Sequence, residues 1–145
     1  MTEPTLDDYK TLLAAAEAVK ERAYAPYSRF RVGAAVLAKS GVSYSGCNVE
    51  NVSFGLTLCA ERVALASAVA AGEREFLAVA IATDKDEPVS PCGACRQVLA
   101  EFGGDMVVVL PGKNGPTLRP LDSLLPSGFG PADLPPPGGA PPPKE

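Results

Sequence analysis

The chain contains no histidine, and that absence narrows its chemistry more than any residue present. Ser-His and Cys-His nucleophile pairs are excluded, and so are the usual imidazole proton shuttle and the commonest metal ligand. Acid–base work must therefore fall to a carboxylate. Positive charge is also scarce, with 13 Lys and Arg against 17 Asp and Glu for a net charge of -4. No basic stripe is available to hold a phosphate backbone, so a polymeric nucleic acid is disfavoured as substrate and a small neutral one is preferred. Long apolar runs are missing as well: none reaches membrane-spanning length, and the acidic start Met1-Thr2-Glu3-Pro4 is not followed by the apolar stretch of a signal peptide. A cytoplasmic protein without a membrane partner is expected. In that reducing compartment the four cysteines read as metal or catalytic residues before they read as disulfides.

A length of 145 residues suits one domain with a real core. Leu6 to Ala25 has the period of an amphipathic helix, with Tyr9, Leu12, Leu13, Ala16 and Val19 on one face, Asp7 and Asp8 at its positive end and Pro26 as its stop. Phe30 to Ala38 and Val42 to Cys47, joined at Ser40-Gly41, predict a β-hairpin. Cys59 to Ala71 predicts a helix ending at Gly72, and Phe76 to Thr83 a strand covered on both faces. Pro91 opens a further helix that runs to Gly103-Gly104. Met106 to Leu110 and Thr117 to Leu121, turned at Lys113-Asn114-Gly115, predict two more strands. The order α-β-β-α-β-α-β-β calls for a mixed sheet with helices packed on its faces. Seven of the fifteen prolines fall between Pro131 and Pro143. The domain is therefore expected to span 1–134, followed by a disordered Pro/Gly-rich tail over 135–145.

The chemistry concentrates in Cys59-Ala60-Glu61 and Pro91-Cys92-Gly93-Ala94-Cys95, which together supply three soft ligands and one unligated carboxylate. Zinc held by four cysteines is closed and structural, whereas three thiolates leave a tetrahedral position open for a water that the metal can acidify. Cys59, Cys92 and Cys95 all fall at predicted helix starts, where free backbone N–H groups favour a thiolate. Each residue also has a bland reading. Free cysteines are often small buried hydrophobes, a lone Cys-x-x-Cys also fits redox chemistry, and a glutamate at a helix start also serves the helix dipole. It is the combination, Cys-x-Glu before a proline-led Cys-x-x-Cys, that favours one zinc per chain with Glu61 as proton shuttle. Cys47, on the second strand, reads as core filler. Three thiolates outweigh the charge of Zn²⁺, so a neighbouring cation would help the metal act. Arg62 and Arg96 are placed to hydrogen-bond the sulfurs, the alternative for each being ordinary helix-surface charge.

These motifs resemble the zinc nucleobase deaminases, and within them the small three-cysteine cytidine deaminases. The likeness extends to Pro26-Tyr27-Ser28-Arg29-Phe30-Arg31-Val32-Gly33-Ala34-Ala35, to Asn48-Val49-Glu50-Asn51 and to Leu124-Leu125-Pro126-Ser127-Gly128-Phe129-Gly130-Pro131. It covers about residues 7 to 134 and stops at the proline-rich tail. The resemblance implies a three-layer α/β/α fold with a mixed five-stranded sheet, and hydrolytic deamination of cytidine and deoxycytidine in pyrimidine salvage. It further implies substrate contacts from Phe30, Asn48, Glu50 and Ala60, with Phe30 on the pyrimidine and Asn48 and Glu50 on the sugar hydroxyls. Finally, it implies a homotetramer in which Phe129 reaches a neighbouring subunit's site. Bottom-up, Phe30 and Phe129 would pass for core aromatics and Asn48 and Glu50 for loop residues. Two other functions stay open at this level: a zinc deaminase for another aminopyrimidine, such as a cytosine-containing nucleoside antibiotic, and a nonenzymatic zinc module with a fourth protein ligand.

Overall fold

The computed structural model describes residues 1–135 and Gly138. Helix α1 (Leu6–Lys20) begins where Thr5 and Asp8 cap each other, the Asp8 N–H donating to Thr5 Oγ1 at 3.2 Å and the Thr5 N–H to Asp8 Oδ2 at 2.7 Å. Strands β1 (Val32–Ala38) and β2 (Ser43–Cys47) form the expected hairpin, followed by a 3₁₀ turn at Phe54–Leu56 and helix α2 (Ala60–Ala70). Strand β3 (Phe76–Thr83), helix α3 (Gly93–Ala100), strands β4 (Val107–Leu110) and β5 (Thr117–Pro120), the short α4 (Leu121–Leu124) and a 3₁₀ turn at Pro131–Asp133 complete the order.

The five strands lie in the order β2-β1-β3-β4-β5. Only β3 and β4 are parallel, and α3 is the crossover between them; every other pairing is antiparallel. Alternation along β1 and β3 feeds both faces. Ala35, Leu37, Ala78, Ala80 and Ala82 bury against Tyr9, Leu12 and Ala16 of α1. On the opposite face Ala34, Val36, Val79 and Ile81 bury against Ala64, Leu65 and Ala68 of α2 and Leu99 of α3. The result is the expected α/β/α sandwich with a mixed five-stranded sheet. Small residues set how closely the layers approach. A Cβ on Gly46 would stand 2.4 Å from the Ala64 nitrogen and 2.9 Å from the Ala60 oxygen. Glycine is thus what lets the first turns of α2 lie directly on β2.

Three local expectations are corrected. The first helix ends at Lys20, not Ala25, because the Tyr24 N–H donates to the Asn48 carbonyl at 3.0 Å and the Tyr24 carbonyl accepts from Glu50 N–H at 2.9 Å. Tertiary pairing with the stretch after β2 outcompetes helix propensity there. Strand β1 starts at Val32 rather than Phe30, leaving Phe30 on an irregular segment. Cys47 is only partly buried and belongs to neither core cluster, since the edge position of β2 leaves it uncovered. The tail expected over 135–145 lies, apart from Pro135 and Gly138, outside the described residues. Among the described residues no helix is long and apolar enough to cross a membrane.

Candidate active site

Cys59 is the N-cap residue of α2 and Cys92 the N-cap residue of α3, with Cys95 in the first turn of α3. Two helix N-termini therefore meet at one point, and the three Sγ atoms lie within 4.8 Å of one another. Cys95 is fully buried, Cys59 partly buried and Cys92 exposed. The thiols are electrostatically unequal. The hydrogen bond from Cys95 and the Arg62 guanidinium bring the Cys59 thiol down to about 5. Its hydrogen bond to Cys59, together with burial, pushes the Cys95 thiol strongly up. Three sulfurs this close cannot all ionise without a cation among them, and a thiolate set of this kind suits zinc. The cluster fits the metal that its sequence spacing predicts.

Glu61, one residue into α2 beyond Ala60, is 5 % exposed. Burial raises its carboxyl above the ordinary carboxylate range. Arg62 comes where the sequence expects it: its Nη2 donates to Cys59 Sγ at 3.3 Å and to the Thr57 carbonyl at 3.2 Å. Arg96 does not. Its Nε donates to the Pro91 carbonyl and its Nη1 to the Leu124 carbonyl, both at 2.8 Å. The expected bond from Arg96 to a sulfur is thus replaced by a tether. From the second turn of α3 the side chain reaches back to the loop that delivers Cys92 and across to α4.

Beside the cysteines opens a cavity of about 310 Å³ whose walls include Cys59, Ala60, Glu61, Cys92, Phe30, Asn48 and Glu50. The structure thereby brings together every expected site residue except Arg62, Arg96, Cys95 and Phe129 on one surface. Phe129 is 58 % exposed, and its carbonyl accepts from Gln97 Nε2 at 2.8 Å. Asn48 and Glu50 do more than line the wall. Asn48 Oδ1 accepts from Val32 N–H and its Nδ2 donates to the Phe30 carbonyl, both at 2.9 Å. Glu50 Oε1 accepts from Tyr27 N–H at 2.9 Å and Ser28 N–H at 3.1 Å, while Oε2 accepts from the Ser28 hydroxyl. That hydroxyl, helped by the two N–H donors, holds the Glu50 carboxyl below its usual range. Sequence reasoning missed Ser28, Thr57, Thr83, Val89 and Ser90 as lining residues. They carry no motif and come from separate stretches of the chain, so only the shared wall sets them apart.

A sheet layered with helices that gathers three thiols at one point, two of them with a buried glutamate on the wall of a cavity, defines a zinc-thiolate protein. The comparisons agree. The family model for the cytidine and deoxycytidylate deaminase zinc-binding region matches residues 6–111. The chain is 48 % identical over 129 residues to the cytidine deaminase of Sporosarcina psychrophila, covering 88 % of this chain and 95 % of that one. It is 44 % identical over 128 residues to the cytidine deaminase of Mycobacterium tuberculosis, with 88 % and 94 % covered. Among solved structures, the cytidine deaminase of Burkholderia pseudomallei superposes with a TM-score of 0.77 at 48 % identity, covering 82 % of this chain and 97 % of that one. This chain belongs to the cytidine and deoxycytidylate deaminase family.

Proposed function

We infer that this protein is a cytidine deaminase, hydrolysing cytidine and deoxycytidine to uridine and deoxyuridine with release of ammonia, as a pyrimidine salvage enzyme with one zinc per chain. The observation that carries the reading is the convergence of Cys59, Cys92, Cys95 and the buried Glu61 at one end of a nucleoside-sized cavity. Cys59, Cys92 and Cys95 would hold the zinc, which would supply the Lewis acidity that activates the attacking water. In the reaction the water oxygen bonds to C4 of the pyrimidine, the C4–N bond breaks, and the amine leaves as ammonia.

The chain's own residues account for the proton traffic and the orientation. Through a Glu61 carboxylate oxygen one proton of the attacking water passes to N3, and the second, from the hydroxyl formed at C4, passes to the departing amine as the C4 carbonyl forms. The raised affinity of Glu61 for protons suits a group that must hold one between these transfers. Arg62 opposes the excess negative charge of the sulfurs through its bond to Cys59. Phe30 and Ala60 form the walls against the base. Asn48 keeps one free N–H on Nδ2, and the Glu50 oxygens keep unused lone pairs, so both can still meet the sugar hydroxyls. Arg96 serves by holding the Pro91 carbonyl and hence the Cys92 loop.

We place the enzyme in the cytoplasm as a homotetramer with shared sites. Supporting the assembly are the exposed Phe129 and the exposed apolar side chains Val52 at 76 %, Phe54 at 72 % and Leu56 at 66 % exposure. Residues 135–145 are proposed to be dispensable. An ultraviolet assay with cytidine, deoxycytidine and cytosine in parallel, combined with zinc analysis, tests the activity. Turnover of both nucleosides with poor use of cytosine is expected, and zinc without turnover would instead support a structural metal. Sedimentation and kinetics on chains ending at Leu134 and at Gly128 test the assembly. The first should remain an active tetramer and the second should lose activity, whereas a fully active monomer would refute shared sites.

A further inference from the structure

Phe30 lines the cavity from a strap, Ser28 to Arg31, that belongs to no helix or strand. The strap is not relaxed. Arg29 has φ +58°, the left-handed region in which a non-glycine residue is strained and persists only where its surroundings hold it. Two of the holding contacts, Glu50 on Ser28 and Asn48 on Phe30 and Val32, come from residues that themselves line the cavity. Another comes from outside it. Asp84 follows Thr83, the last residue of β3, and its Oδ2 accepts from the Arg31 backbone N–H at 2.8 Å. The same carboxylate accepts from Arg31 Nη2 at 2.9 Å and Nε at 3.2 Å, through Oδ1. Arg31 Nη1 reaches on to Glu21 Oε2 at 2.8 Å, just past the end of α1. Nearby, Lys20 Nζ donates to the Thr83 carbonyl at 3.1 Å, tying the same end of α1 to the strand that carries Asp84.

We propose that Asp84, acting through Arg31, is a positioning residue that sets the place of the Phe30 wall and with it the affinity for substrate. Resting on the cytidine deaminase reading, the proposal adds to it a control point that touches neither substrate nor metal. An exposed ion pair alone would carry little weight. Here one carboxylate binds both the side chain and the backbone N–H of the residue next to Phe30, so its loss frees the strap at its far end. The strained Arg29 then has a route to relax, and the ring moves with it.

The decisive experiment is a double-mutant cycle read in kcat and KM separately. Asp84→Ala should raise the KM for cytidine about three- to tenfold, leave kcat within about twofold and leave zinc content unchanged, since an anchor of the strap is lost without touching the reacting atoms. Asp84→Asn, which keeps an acceptor for the Arg31 N–H but loses the charge, should fall between parent and Asp84→Ala. In a Phe30→Ala background Asp84→Ala should add nothing to KM, because the wall it positions is gone. Additive effects in the two backgrounds, or an unchanged KM in Asp84→Ala, would overturn the proposal. If Asp84→Ala folds poorly, Asp84→Asn carries the same cycle, with a smaller rise in KM that must likewise vanish in the Phe30→Ala background. In the ligand-free protein, the assigned ring resonances of Phe30 should shift or broaden in Asp84→Ala, and an unmoved ring would be equally fatal. That signal separates the two claims: a parent protein that fails to deaminate cytidine defeats the functional reading, while the ring resonances still decide whether Asp84 positions Phe30.

Discussion

On one wall of the cavity, Cys59, Glu61 and Cys92 come from the first turns of α2 and α3, while on the other Phe30 rides a strap with no regular structure of its own. The first wall gets its rigidity from helices already packed on the sheet, so its side chains are held by secondary structure and need few partners. The second is a web of side chain to backbone bonds between distant residues: Glu50 to Ser28, Asn48 to Phe30 and Val32, Asp84 to Arg31. The contrast teaches how one small site divides its labour. On the proposed function, the chemistry falls to the wall built on helix starts and the fit to substrate to the wall held by single side chains.

The sharpest test of the first wall removes its metal. Cys59→Ala, Cys92→Ala or Cys95→Ala should each abolish turnover and lower zinc content, whereas Cys47→Ala, lying away from the cluster, should keep both. Elemental analysis beside a cytidine assay reads the result, and full zinc occupancy in Cys92→Ala would remove that ligand. Glu61→Gln probes the same wall without touching the metal. It should retain zinc and fold but lose about 10²-fold to 10⁴-fold in kcat, the range for a positioned acid–base group. Near-normal kcat would reduce Glu61 to a helix-start charge.

Support for the first wall can be broken from beneath. Gly46→Ala puts a Cβ 2.4 Å from the Ala64 nitrogen, forcing α2 off β2 at a cost of about 1–3 kcal/mol. A lowered Tm together with weakened zinc retention is expected. Gly55→Ala, with nothing within 4 Å, is the control and should be near neutral. On the second wall, Asn48→Ala leaves the Phe30 carbonyl and Val32 N–H without their partner, a loss of about 1–3 kcal/mol. Its mark should fall mainly on KM for cytidine, as should that of Glu50→Ala, and unchanged kinetics in both would erase the difference between the walls.

The two walls also differ in how far the amino-acid order discloses them. Cys59 to Glu61 and Pro91 to Cys95 are contiguous stretches, and helix-start chemistry acts within a turn, so both the ligands and their helix starts are legible locally. The strands of the sheet are legible for the same reason, since alternation and turn residues are short-range signals. The strap is not. That Tyr24 leaves the helix, that Phe30 precedes the strand and that Arg96 turns to Pro91 and Leu124 are settled by contacts 5 to 28 residues away in the chain.

What the sequence by itself determined is the inventory: three thiols and a carboxylate in a chain without imidazole, and the alternation that builds a mixed sheet with helices on its faces. Tertiary structure alone decided which of these groups share a cavity, that Asn48 and Glu50 brace the strap as well as face the cavity, and that Asp84 takes hold of Arg31. The physical reason is one of range. Propensity, capping and dipole act over a few residues and are written in their order, whereas a carboxylate finds an N–H more than fifty residues away only after the sheet has brought the two together.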